Sequence, residues 1–128
     1  MTSAQVATRI AELRELKDGW ADGTQHASTW GSGFGKAPLH KHLNYLESTI
    51  IQKLVLPPAI FPIPDTGGVV LEWTVGDREI SLEIDFRYLA AEYHDLNLHT
   101  DDSVYKILPL SEPNTWTWIN ERLTQTST

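Results

Sequence analysis

Two β-forming runs separated by Gly76-Asp77 restrict what this chain can fold into more than any other segment. The first, Val69 to Val75, follows a strand-like run at Ile60-Phe61 and a rigid Pro62-Ile63-Pro64-Asp65-Thr66-Gly67-Gly68 turn; the second runs from Arg78 to Phe86. A two-residue loop with glycine first suits a type II′ turn, because that position needs φ > 0. The register it imposes pairs Val75 with Arg78, Trp73 with Ile80, Leu71 with Leu82 and Val69 with Ile84, so apolar residues oppose one another on one face. The other face carries Glu72, Thr74, Glu79, Ser81, Glu83 and Asp85, with Val70 its only apolar member. A slip of one residue would bury Glu72 and Glu83 unpaired, at a cost of several kcal/mol.

The flanking segments supply three helices and two more strands. Val6, Ile10, Leu13 and Leu16 share one helical face behind Ser3 as N-cap, and that helix is expected to end near Gly19. A second helix is expected from Pro38, with Leu39, Leu43, Leu46, Ile50 and Leu54 on one stripe, closed by Pro57-Pro58. Glu92 to Leu98 and Val104 to Leu108 read as strands joined by a turn at Thr100-Asp101-Asp102. Ser111 is the expected cap of a last helix, with Pro113 in its first turn and Trp116, Ile119 and Leu123 inward. The order α-α-β-β-β-β-β-α with short connections predicts an α+β fold: an antiparallel meander of four to five strands, covered by helices on one face and at least partly open on the other. With 128 residues the chain is read as one domain, with a flexible glycine- and aromatic-rich loop at about residues 18–37.

Charge and composition narrow the partners. A formal charge of −7 disfavours a phosphate-backbone binder, so no nucleic acid is expected, and it favours a basic protein partner. The absence of cysteine excludes disulfides, zinc–thiolate sites and thiol catalysis. No charged-then-apolar leader is seen and no apolar run approaches about 18 residues, so a cytoplasmic chain without a membrane partner is expected.

Gly19-Trp20-Ala21-Asp22-Gly23, then Gly35-Lys36-Ala37-Pro38, then Pro62 to Gly68 leading into Leu71-Glu72-Trp73, resemble a family of small uncharacterised bacterial proteins over roughly residues 10–86. Its members share a Gly-Trp-Asp-Gly-type loop, a following helix and a Pro-Thr-Pro-Asp-Gly-Gly turn before Leu-Glu-Trp. The resemblance implies a fold and carries over no activity. Ile63 stands where the family has Thr, Thr66 is an added residue, and residues 24–34 read as an insertion.

Few residues invite chemistry. Gly31-Ser32-Gly33-Phe34-Gly35-Lys36 fails as a phosphate loop, since no strand precedes it, Ala37 replaces the needed Ser or Thr, and the glycine spacing is wrong. His40 and His42 diverge on a helix, and His94 and His99 are five apart; neither pair builds a metal site without a group such as Asp22 or His26 from the loop. The acidic sheet face is the better candidate. Glu72 lies diagonal to Glu83, and in a simple register Tyr93, Asp95 and Asn97 extend the same face. Such a face is commonly just solvated; it can also meet a basic partner, or hold a divalent ion or a carboxylate pair. Of five tryptophans, Trp73 and Trp116 fit the core, while Trp30 in the glycine-rich loop has the character of an interface anchor.

No nucleophile–base set is recognisable. The leading expectation is a small non-enzymatic binding module of bacterial or phage origin, antitoxin-, immunity- or inhibitor-like, with Trp30, Glu72, Glu83, Tyr93 and Asp95 on its partner surface and no cofactor or metal. The alternatives are a divalent-metal-dependent hydrolase using Glu72, Glu83 and Asp95, and a homodimer or larger homo-oligomer joined through its open sheet.

Overall fold

A computed structural model of the chain describes residues 2–20 and 35–125. Helix α1 (Ser3–Arg14) packs beside a second helical segment, α2 (His40–Tyr45), which continues through a wide π turn at Leu46–Ile50 and a tight turn at Ile51–Lys53. Strands β1 (Ala59–Pro62), β2 (Val69–Val75), β3 (Arg78–Asp85), β4 (Ala90–Asn97) and β5 (Ser103–Pro109) follow, then helix α3 (Pro113–Thr124). The strands form one antiparallel sheet in the order β1-β2-β3-β4-β5, the expected meander in an α+β fold.

The β2–β3 register is the one the turn demands: Val75 opposes Arg78, Trp73 Ile80, Leu71 Leu82 and Val69 Ile84, with φ of 60° at Gly76. Those residues form the inner face. With Val6, Ile10 and Leu13 of α1, Leu43, Leu46 and Ile50 of the second helix, and Trp116, Ile119 and Leu123 of α3, the apolar members Val69, Leu71, Trp73, Ile80, Leu82 and Ile84 build the core. Their burial supplies the main driving force, each large aliphatic side chain contributing about 1.5–3 kcal/mol. The two core tryptophans satisfy their indole N–H groups, Trp73 on the Leu56 carbonyl at 2.9 Å and Trp116 on the Leu110 carbonyl at 3.1 Å.

Several boundaries differ from the sequence reading. Thr2, not Ser3, caps α1, because Thr2 and Gln5 form a reciprocal capping box; the helix stops at Arg14, well before Gly19. The second helix starts at His40, and Leu39 lies outside the stripe, in extended conformation and 53% exposed. The chain is already extended at Leu54, ahead of Pro57. Glu112, with no side-chain capping bond, occupies the position expected for Ser111. The loop reading at 18–37 falls largely on residues 21–34, outside those described. Its base is a closed neck: the Gly19 N–H donates to the Gly35 carbonyl at 2.7 Å, and the Trp20 indole to the Lys36 carbonyl at 2.8 Å. Gly35 is required there, since a Cβ would stand 2.3 Å from the Trp20 carbonyl oxygen.

Candidate interaction surface

The register of β4 decides which side chains share the open face. Glu83 pairs with Glu92, Ser81 with His94 and Glu79 with Leu96, while Leu82 pairs with Tyr93 and Ile80 with Asp95. Side chains alternate across a strand, so Glu92, His94 and Leu96 face outward and Tyr93 and Asp95 face the core. The expectation that Tyr93, Asp95 and Asn97 extend the acidic face is therefore wrong. Tyr93 is fully buried and Asp95 is 4% exposed, so neither can form part of a partner surface in this fold.

The reason is electrostatic. Arg78, inward at the start of β3, donates from Nε to Asp95 Oδ1 at 3.1 Å and makes a second, closer bond to Oδ2. Arg122 of α3 donates to the same Oδ2 at 2.8 Å, and the Tyr93 hydroxyl does so at 2.8 Å. Arg78 also donates to the Arg122 and Gln125 carbonyls at 2.9 and 3.0 Å, tying down the end of α3. Burial alone would push the Asp95 carboxyl up; the bonds from Arg78, Tyr93 and Arg122 outweigh it and hold it below its ordinary value. Burial pushes the Tyr93 hydroxyl up to about 12. Trp118 lies edge-on to Tyr93 at 4.7 Å and under the Lys106 ammonium at 4.6 Å. This cluster is saturated and internal, and it serves stability.

The outward face has a different character. Glu72, Glu79, Glu83 and Glu92 form no ion pair with a Lys or Arg among the described residues. The five arginines are engaged elsewhere: Arg9 with Glu12, Arg14 with Glu47, Arg78 and Arg122 with Asp95, and Arg87 with Asp85. Glu83 has its carboxyl pushed up, first by burial and then by the facing Glu92, with His94 opposing. The Tyr105 hydroxyl donates to Glu92 at 2.6 Å, and its ring lies 4.8 Å from that of His94. A broad depression of about 840 Å³ over β2–β4 is lined in part by Glu72, Thr74, Glu79, Ser81, His94 and Leu96. Toward β5 the same face carries exposed Tyr105 and Ile107.

Comparison with protein-family models, with curated proteins and with solved structures finds no match. Function is therefore read from the surface itself.

Of the five residues expected on a partner surface, Glu72 and Glu83 are outward, Tyr93 and Asp95 are buried, and Trp30 lies outside the described residues. The hydrolase trio does not converge, because Asp95 is on the opposite face from Glu72 and Glu83 and is saturated by two arginines. Among the described residues no group of three or more His, Asp or Glu side chains is arranged to hold a metal ion. No helix among them is long and apolar enough to cross a membrane. Sequence reasoning missed Glu92, His94 and Tyr105. The signal was present in the hairpin register, which turns Arg78 inward and so calls for a carboxylate facing it from β4.

Proposed function

We propose that this chain is a small non-enzymatic binding module, cytoplasmic and of the antitoxin, immunity-protein or inhibitor kind, whose open sheet face receives a basic protein partner. The observation that supports it is the uneven use of charge. A buried aspartate holds two arginines, while four outward glutamates on one sheet face have no cationic side chain within ion-pair distance among the described residues. Such a face repels itself: Glu92 stands opposite Glu83 and, after burial, adds to what pushes the Glu83 carboxyl up, and a basic surface laid over it relieves that repulsion. The complementary field speeds association and makes it dependent on ionic strength.

Affinity capture from the source cell tests this reading, comparing the wild-type chain with a Glu72→Lys/Glu83→Lys/Glu92→Lys variant at about 0.1 and 0.5 M salt, where screening differs strongly. A basic protein retained by the wild type alone at low salt and released at high salt supports it. A partner held equally by both chains at both salts overturns it.

A further inference from the structure

The geometry points to the free edge of β5 as the place where that partner docks, adding an extended basic segment as a sixth strand beside Ser103, Tyr105 and Ile107. This inference rests on the acidic-face reading and names how the partner is held.

The direction of each backbone group follows from the bonds that flank the strands. Asn97 N–H donates to the Asp102 carbonyl at 2.8 Å, so in this register the pairs that exchange bonds are Asp95 with Val104, Tyr93 with Lys106 and Ala91 with Leu108. Ser103, Tyr105 and Ile107 therefore turn both N–H and C=O away from β4. Among the described residues no side chain or backbone group bonds to them there. Val104, Tyr105 and Ile107 are 37, 55 and 63% exposed, so this is an exposed, apolar seven-residue edge without internal proline, open to strand addition.

Charge selects the occupant. A strand added beyond β5 stands about 10 Å from β4, a gap that a lysine on it and Glu92 close between them over Tyr105 and Ile107. Its alternate side chains cover Val104 on the inner side. A second copy of this chain fits less well. Two-fold pairing of β5 with itself would join two acidic faces from chains of charge −7 each, and Lys106 is turned inward over Trp118, where it offsets none of it.

The test titrates the full chain with a blocked ten-residue peptide of alternating lysine and valine, its counterpart N-methylated on alternate residues, and a glutamate–valine control. The first is expected to bind, the control not to bind, and N-methylation to weaken binding at least ~10-fold by removing the donors that a strand must supply. Ile107→Pro is expected to cost a similar factor, because that N–H points outward; circular dichroism and Tm check the fold, and the N-methylated peptide decides if the variant does not fold. If N-methylation and Ile107→Pro change nothing while Glu83→Lys/Glu92→Lys abolishes binding, the acidic-face reading survives and strand addition fails. Absence of binding by the lysine–valine peptide also overturns strand addition. So does a dimer in sedimentation equilibrium that Ile107→Pro dissolves, which would make the second copy the occupant.

Discussion

The two edges of the sheet are treated in opposite ways. At β1, Ile63 N–H donates to the Gly68 carbonyl at 2.9 Å, so by the same alternation Ile60 and Pro62 are the residues that turn outward. Pro62 has no N–H to offer, and the Ile60 carbonyl accepts from Arg9 Nε at 2.8 Å. The strand is four residues long and lies against α1. Among the described residues the outward groups of Ser103, Tyr105 and Ile107 at β5 carry no such cover, while Pro109 resembles the other edge, its carbonyl accepting from the Thr115 hydroxyl at 2.6 Å. Proteins usually blunt both edges of an open sheet. Among the described residues, then, the means of protecting an edge strand are applied on one side only.

The largest effect should come from the inner fastening of the open half. Asp95→Ala leaves Arg78 and Arg122 facing each other without a counterion in a buried setting, and is expected to lower unfolding free energy by about 3–5 kcal/mol, read by urea denaturation. Wild-type stability in that variant would mean that the arginine–aspartate cluster contributes nothing net to fastening the sheet to α3.

Proline placement then separates the two sides of β5. Lys106→Pro removes a donor directed at β4 and the ammonium over Trp118, and should cost about 2–3 kcal/mol. Ile107→Pro removes an outward donor and should cost less than about 1 kcal/mol. Equal losses in chemical denaturation would reverse the assignment of which groups face outward.

Unplugging β1 should matter less. Arg9→Ala removes one charge-assisted bond worth about 1.5 kcal/mol and exposes the Ile60 carbonyl. A rise in weak self-association by sedimentation velocity, small because Pro62 still offers no donor, would sharpen the contrast between the edges.

The smallest effect lies in pH. The folded-state Glu83 carboxyl is raised above its ordinary value of 4.5, so its favourable contribution is complete below that value and is lost as pH rises through the raised one. Glu83→Gln should raise Tm slightly at neutral pH, with the gain vanishing below about pH 4.5. Asp95 behaves oppositely: its carboxyl is lowered, and the stability it provides is lost as acid protonates it. A gain from Glu83→Gln that persists unchanged into acid would show that neither the burial of its charge nor repulsion from Glu92 is the source.

What could be read from the chain depended on how tightly a turn fixed register. Gly76-Asp77 left one alignment for β2 and β3, and each of its pairs is found. Between β3 and β4 lies a four-residue connection, Phe86 to Leu89, with Leu89 at φ 48°. A leucine in the left-handed region has no signature in composition, so the face of β4 had to be judged from polarity. Glu92, His94 and Leu96 are no more polar than Tyr93, Asp95 and Asn97, which made polarity a poor guide. The inward choice is made by Arg78 and Arg122, one seventeen residues before Asp95 and the other twenty-seven after it. The open edge of β5 was legible as a strand, while its lack of cover depends on what packs nearby in three dimensions.

The arginine bridge to α3 also orders events on the ribosome. Strand β4 ends at Asn97 and Arg122 follows about 25 residues later, so Arg78 and Asp95 leave the ribosome first, with an interval before Arg122 emerges. During that interval Arg78 and Asp95 can meet, but Arg122 and the α3 carbonyls that accept from Arg78 are still to come. The nascent meander therefore waits with its apolar side uncovered at the place where Trp116, Ile119 and Leu123 will land. That interval is when a chaperone has most to shield in this protein.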